Sequence, residues 1–211
     1  MKENVHILNH PMFEHKIAML RDVNTRPGVF RQIVREIGFL EAYEALRNID
    51  TVTTTVTTPL EKTDRQLIDG SKLCFVSIMR AGLEMAAGAR DLLPSASEGF
   101  IAMARDEVTF KPHLSYVKLP HSIANKKAII LDPMLATAGS SIAAVKKLIE
   151  HGVKPYAFCC IIAAPEGIKA FSEAFPDIPL YVGCLDRCLN EKAYILPGLG
   201  DAGDRIYGTN D

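Results

Sequence analysis

The stretch AIILDPMLATAGSS, residues 128–141, decides the fold of this chain. Its first four residues are apolar and suit a buried strand that stops at Asp132. A loop of small and hydroxyl-bearing residues follows, and apolar residues then recur at helical spacing over residues 142–149. The stretch therefore predicts a strand, a turn and the start of a helix.

The turn in this stretch is suited to bind a phosphate group. Backbone N–H groups at a helix N-terminus lack partners and carry a partial positive charge, so residues 137–141 (TAGSS) can surround an anion with amides and hydroxyls. Asp132 would then face the sugar that carries the phosphate. The simpler alternative is an ordinary turn capped by Ser140 or Ser141. The lysine of a Walker sequence is absent, which argues against an ATPase.

Composition limits the classes of protein that the chain can belong to. Its 211 residues are 48% hydrophobic, enough for one large domain over residues 1–211. The net charge of −1 offers no extended basic surface, so we expect no nucleic-acid partner. No apolar run reaches the ~18 residues of a membrane span, and we expect no membrane partner. The odd number of cysteines, 5, indicates free thiols and a cytoplasmic location.

Strands and helices alternate along the chain, which predicts an α/β fold with a central, mostly parallel sheet and helices on both faces. A Thr-rich segment at residues 51–58 predicts a β-arm, and residues 106–125 predict a projecting hairpin or hood. The expected strands occupy residues 73–79, 100–104, 128–131, 156–163 and 180–185. The expected helices occupy residues 30–46, 83–93, 141–150 and 165–175.

Charged residues follow three of the expected strands. Arg80, Arg105 and Asp132 each come directly after an apolar run, and ligands of open α/β sheets bind at the carboxyl ends of strands. We therefore expect the three to share one rim. Guanidinium groups bind phosphate oxygens bidentately, so two arginines beside a loop of free amides fit one ligand with several phosphates.

The C-terminal segment ILPGLGDAGDR, residues 195–205, is rich in glycine yet contains apolar residues. Its glycines and proline predict an irregular loop with no helix or strand. Backbone groups in a buried irregular loop need partners, and a flat heterocycle such as uracil offers them. The alternative is a glycine-rich turn closed by Asp204 and Arg205.

Four motifs together resemble a known family. DPMLATAGS (132–140) resembles the phosphoribosyl-diphosphate loop of type I phosphoribosyltransferases. With SIMRAG (77–82), MARDE (103–107) and YILPGLGDAGDR (194–205), the chain resembles the uracil phosphoribosyltransferases over nearly its whole length. The resemblance implies transfer of phosphoribosyl from 5-phospho-α-ribose 1-diphosphate to uracil, which gives UMP and diphosphate.

The resemblance also assigns roles to residues. Arg80 and Arg105 bind the donor's diphosphate. The loop that binds its ribose-5-phosphate consists of Asp132, Pro133, Met134, Leu135, Ala136, Thr137, Ala138, Gly139 and Ser140. The residues that contact uracil are Ile195, Gly200, Asp201 and Ala202. Asp132 stabilises the ribose side of the reaction, and Asp201 is a candidate general base, with the departing diphosphate as the alternative.

Two departures from the family pattern have physical consequences. Ala138 stands where the family usually has glycine, so a positive φ at this residue would strain the loop by about 1 kcal/mol. Asp132 is a single acid at the strand end, so we expect the cofactor Mg²⁺ to be held mainly by oxygens of the donor and by water. The Thr-rich arm and the apolar first helix predict a homodimer or homotetramer, and the sequence leaves open whether GTP regulates it.

Three other readings remain open from the residues. The chain can transfer phosphoribosyl to another nucleobase, or act as a pyrimidine-sensing regulator that binds RNA on the same scaffold. The near-neutral charge argues against RNA binding. The third reading is a purely structural protein that binds no phosphorylated sugar.

Overall fold

The computed structural model describes the backbone of residues 4–105 and 112–209, and the side chains of these residues other than 104, 105 and 112. The helices are α1 (Pro11–Arg21), α2 (Pro27–Ala45), α3 (Gly82–Leu92), α4 (Gly139–Glu150), α5 (Pro165–Ala174) and α6 (Ala202–Tyr207). The first six strands are β1 (Val5–Ile7), β2 (Val52–Thr57), β3 (Lys62–Leu67), β4 (Leu73–Met79), β5 (Ser97–Arg105) and β6 (Pro112–Lys118). The others are β7 (Lys127–Leu131), β8 (Met134–Leu135), β9 (Lys154–Ala163), β10 (Leu180–Leu185), β11 (Cys188–Leu189) and β12 (Ile195–Leu196).

The main sheet has the strand order β1-β10-β9-β7-β4-β5-β6, and β8 also pairs with β9. Every pairing in it is parallel except that of β5 with β6. The predicted mostly parallel α/β sheet is therefore confirmed. Parallel strands direct their carboxyl ends to the same edge, so the residues after β4, β7, β9 and β10 come together there.

Helices cover both faces of this sheet, as the unbroken apolar strands predict. Alternate residues of β7 point to opposite faces: Ile129 and Leu131 pack with α1, α2, α3 and α6, whereas Ala128 and Ile130 pack with α4 and α5. Proline occupies the first position of α1, α2 and α5, where its fixed φ favours helix initiation and its missing N–H costs nothing.

The Thr-rich segment forms β2, and β2 pairs with β3 in a separate antiparallel hairpin. We did not predict β3, because its sequence KTDRQL is polar on both faces. We also did not predict β1, a three-residue strand at the edge of the sheet. Of the predicted hood, β6 extends the main sheet, and residues 106–111 lie outside the described part of the chain. Within the described part, no helix combines the length and the apolar content needed to cross a membrane.

Candidate active site

A cleft of about 670 Å³ lies at the carboxyl edge of the main sheet. Arg80 follows β4 and Asp132 follows β7, and these two strands are paired neighbours. The peptide bond between Met79 and Arg80 is cis. Arg80 and Thr137 line the same cleft, together with the glycine-rich C-terminal segment. The structure thus brings the three predicted parts of the site together.

Gly82 determines how closely the two paired strands end. A Cβ atom at residue 82 would lie 2.3 Å from the carbonyl oxygen of Leu131, a distance that no side chain tolerates. The turn after β4 therefore packs directly against the last residue of β7. This contact places Arg80 beside Asp132.

The loop before α4 leaves the helix N-terminus open. The helix begins at Gly139, and its N-cap residue Ala138 has φ 63° and ψ 0°, with no side-chain hydrogen bond to the first turn. The alternative of a cap by Ser140 or Ser141 is wrong, because both residues lie inside the first turn of α4, and the Ser141 hydroxyl donates to Asp132 Oδ2 at 3.2 Å. The Gly139 N–H donates a long hydrogen bond of 3.4 Å to the Thr137 hydroxyl, and the next N–H groups of the first turn can bind an anion. Ala138 therefore has the positive φ that we expect to strain the loop.

Not every residue of the predicted phosphate loop faces the cleft. The residues of this loop that line it are Asp132, Met134, Ala136, Thr137 and Ser140. Pro133 and Leu135 are buried, and their carbonyl oxygens accept hydrogen bonds from the end of β9 and the residue after it. Ala138 is also buried, and Gly139 is not part of the cleft wall. The side chains of Pro133, Leu135 and Ala138 therefore anchor the loop.

Asp132 carries a perturbed carboxyl group. Burial raises its pKa from 3.8 to about 7, against the opposing effect of hydrogen bonds from the Ser141 hydroxyl and the Met134 backbone. The acid thus titrates near neutral pH, and a cationic or hydroxyl-rich ligand in the cleft would favour its ionised form.

Arg80 leans on the C-terminal helix. Its Nη2 lies 3.6 Å from Asp204 Oδ1, and its guanidinium lies 5.7 Å from the ring centroid of Tyr207. The Arg80 side chain is 61% exposed, so this ion pair contributes at most about 1 kcal/mol. An anionic ligand can therefore draw Arg80 away at little cost.

The C-terminal segment is more regular than we predicted. The expectation of no helix or strand was wrong, because β12 covers Ile195–Leu196 and α6 begins at Ala202. Asp201 is the N-cap of α6, and its side chain accepts a hydrogen bond of 2.9 Å from the Asp204 N–H. An aspartate cap offsets the poor helix propensity of Gly203. Ile195, Gly200, Asp201 and Ala202 all line the cleft.

Sequence reasoning missed several residues of the cleft wall: Ala81, Lys192, Ala193, Tyr194 and Gly203. Three of them belong to the turn between β11 and β12. Asn190 organises this turn, since its side-chain oxygen accepts hydrogen bonds of 2.9 Å from the Lys192 and Tyr194 N–H groups. The sequence signal for this turn is Asn190, because asparagine often initiates turns. We did not use this signal.

Two predicted features of the site fall outside what the structure describes or supplies. The side chain of Arg105 lies outside the described residues, so its diphosphate role stays a prediction. No group of three or more potential metal ligands clusters among the residues that are described.

Ala193→Gly is expected to raise the free energy of unfolding by about 0.5–1 kcal/mol. Ala193 is exposed and has φ 61°, which costs an L-residue about 1–2 kcal/mol, whereas the added chain entropy of glycine costs about 0.5–1 kcal/mol. Ala138→Gly relieves the same strain but removes a buried methyl worth about 0.8 kcal/mol, so we expect little net change. Urea unfolding of both variants measures this difference, and a less stable Ala193→Gly protein would contradict it.

Comparisons with known proteins give a consistent result. A family model for uracil phosphoribosyltransferase matches residues 7–209. The chain is 48% identical over 205 residues to the uracil phosphoribosyltransferase of Limosilactobacillus fermentum, covering 96% of this chain and 97% of that one. It is 46% identical over 207 residues to the one from Agrobacterium fabrum, covering 98% and 99%. The solved structure of the AQ2163 protein from Aquifex aeolicus matches with a TM-score of 0.90 at 37% identity, covering 98% of this chain and 99% of that chain.

Proposed function

Since the chain belongs to the uracil phosphoribosyltransferase family, we propose that it transfers phosphoribosyl from 5-phospho-α-D-ribose 1-diphosphate to uracil. The products are UMP and diphosphate, a step of pyrimidine salvage. The single observation that supports this most is the cleft, because Arg80, the open N-terminus of α4 and the glycine-rich C-terminal segment all border it.

The two ends of the donor match the two anion-binding features. The 5-phosphate fits the first turn of α4, where free amides and the hydroxyls of Thr137 and Ser140 provide donors. The diphosphate fits Arg80, whose weak pair with Asp204 is readily exchanged for a bidentate contact. We assign Arg105 to the same diphosphate on the sequence motif alone.

The chemistry separates charge along the donor. The bond from the anomeric carbon to the diphosphate oxygen breaks, the bond from that carbon to uracil N1 forms, and positive charge develops on the ribose. Arg80 stabilises the departing diphosphate, and ionised Asp132 stabilises the ribose side. The N1 proton leaves to Asp201 or to the departing diphosphate. Asp201 already accepts a hydrogen bond as the cap of α6, which leaves the diphosphate as the stronger of the two candidates.

Uracil fits the backbone of the C-terminal segment. Its O2 and O4 accept hydrogen bonds and its N3–H donates one, so backbone amides and carbonyls of Gly200 to Ala202 can pair with its edges beside Ile195. An amide N–H that faces O4 would meet the amino group of cytosine instead. Such a mismatch leaves a buried donor without a partner.

Mg²⁺ fits the cleft as an ion carried by the donor. Mg²⁺ keeps several waters and binds through one or two carboxylates plus substrate phosphates, and Asp132 supplies one carboxylate at this edge. When bound, Mg²⁺ neutralises charge on the leaving diphosphate. We further propose a homo-oligomer, supported by the exposed β2–β3 hairpin, and a cytoplasmic location, supported by the free thiols.

Diphosphate release with each nucleobase in turn tests the proposal. With donor and Mg²⁺ present, we expect release with uracil and none above background with cytosine, adenine, guanine or hypoxanthine. A purine as the better acceptor would favour the reading of a different phosphoribosyltransferase. If none of the bases supports diphosphate release and RNA shows a salt-dependent gel shift, the regulator is favoured.

A further inference from the structure

A buried ion pair lies beneath the glycine-rich segment. Arg21 is the last residue of α1, and Asp186 directly follows β10. Arg21 Nη1 and Nη2 donate to the two carboxylate oxygens of Asp186, the first at 2.9 Å. The Asp186 side chain is 3% exposed and that of Arg21 is 24% exposed. The pair is therefore bidentate and largely shielded from water.

The same two side chains hold both backbone polar groups of Gly198. Arg21 Nη1 donates to the Gly198 carbonyl at 2.8 Å, and the Gly198 N–H donates to Asp186 Oδ2 at 2.8 Å. Gly198 has φ 60°, and a Cβ there would lie 2.1 Å from the carbonyl oxygen of Ile195. The segment thus turns too tightly for any side chain, and its buried backbone groups depend on the ion pair.

A second arginine extends this support by one residue. Arg205 donates to the Leu199 carbonyl at 2.9 Å and also to the carbonyls of Leu20 and Asp22, which flank Arg21 in the chain. Its guanidinium lies 4.4 Å from the ring centroid of Phe30. The residues between Ile195 and Gly200 are therefore tied to the C-terminal end of α1.

We propose that Arg21 and Asp186 are positioning residues for the nucleobase. Neither residue lines the cleft, yet their bonds to Gly198 set the path of the backbone between Ile195 and Gly200, which do line it. The inference rests on the proposed function, because it assigns this backbone to base recognition. Among the described residues, no hydrogen bond or ion pair joins Arg21 or Asp186 to Arg80 or to α4, so we expect binding of the donor's phosphates not to depend on the pair.

Arg21→Lys and Asp186→Asn test this division. Lysine keeps the charge but cannot bond to both carboxylate oxygens and the Gly198 carbonyl at once, and asparagine keeps the shape but loses the charge. We expect KM for uracil to rise about 10-fold or more, since small displacements of a binding group are costly, with KM for the donor changed less than about twofold. Steady-state kinetics with each substrate varied separately measures the split.

Arg35→Lys is the matched control. Arg35 and Asp91 also form a bidentate pair, but both side chains are more than 40% exposed, 46% and 43%, and the pair joins α2 to α3 away from the cleft. We expect both KM values to stay at the wild-type level.

Three results would overturn the inference. They are an unchanged KM for uracil, equal losses for both substrates, or loss of donor binding in both variants, which would show that the pair supports the whole fold. If the wild-type protein forms UMP and both variants have its KM values, the inference alone is overturned. A wild-type protein that forms no nucleotide from any base removes the proposed function itself.

Discussion

Asp132→Asn is expected to lower kcat/KM for the donor at least ~100-fold and, at the same time, to stabilise the empty protein at pH 8. The activity falls because asparagine removes the negative charge proposed to face the ribose, and a charge aligned with the transition state contributes about 10²–10³-fold. The stability rises because burial holds the pKa of Asp132 at about 7, above its ordinary 3.8, so the folded protein binds a proton more tightly than the unfolded chain does.

The sign of the pH dependence follows from these two pKa values. Below pH 3.8 the carboxyl is protonated in both states and costs nothing, and the cost grows as pH rises towards about 7. The full shift would amount to about 4 kcal/mol, but the group borders an open cleft, so we expect about 1–2 kcal/mol at pH 8. Urea unfolding at pH 5 and pH 8 measures it.

Activity should follow the opposite trend with pH. In the wild-type protein, kcat/KM for the donor should fall as pH drops below about 7, because protonated Asp132 has no charge. Asp177 is exposed in the loop between α5 and β10. Asp177→Asn therefore serves as the control for the unfolding and the kinetic measurements. An Asp132→Asn protein with activity within about threefold of the wild type would contradict the proposed role.

Glu41→Gln is expected to raise the free energy of unfolding, by an amount that grows with pH. Glu41 lies on the face of α2 that packs on the sheet and is fully buried, and no side-chain donor or cation pairs with its carboxyl group among the described residues. Burial raises its pKa well above 4.5, although the nearby Gly183 backbone acts in the opposite direction. The carboxyl therefore binds its proton more tightly in the folded protein than in the unfolded chain.

This linkage destabilises the wild-type protein by about 1.4 kcal/mol per pH unit above 4.5, until the pH reaches the folded-state pKa. Glutamine has the same shape and does not titrate, so the difference between the two proteins should be small at pH 4 and should grow as the pH rises. Denaturant unfolding across this range measures it. Glu173→Gln on the exposed face of α5 should change stability by less than about 0.5 kcal/mol at every pH. A constant difference between wild type and Glu41→Gln would show that Glu41 ionises inside the fold.

The sequence predicts most of the main sheet because its strands are apolar on both faces. The runs at β4, β7 and β10 stand out from their surroundings, and their order along the chain places Arg80 and Asp132 at one edge. The β3 strand escapes prediction because neither of its faces is buried, so no alternation of apolar residues marks it. Strand order and the pairing of β2 with β3 depend on contacts between distant segments, which local patterns do not encode.

The parts of the candidate site that local sequence signals mark were predictable. The parts whose structure depends on contacts between distant segments were not. The Asp132 loop combines a strand end with a helix start, and both signals are local. α6 was missed because Asp201 as a cap and Arg205 as an anchor to distant carbonyls outweigh the weak propensity of its glycine. Arg21 and Asp186 gave no signal, since 165 residues separate the two partners.

The contact between Gly82 and the Leu131 carbonyl divides the cleft into two mechanically different parts. Two paired strands in direct backbone contact carry Arg80 and Asp132, so the separation of these two backbone positions is fixed, whereas the exposed Arg80 side chain can still move to meet the donor. Turns held by hydrogen bonds to side chains, from Asn190 on one part and from Arg21, Asp186 and Arg205 on the other, carry Tyr194 and Gly200 on the other side. A change of acceptor base therefore requires changes in these turns and in the side chains that hold them, while the strand ends that face the sugar donor stay the same.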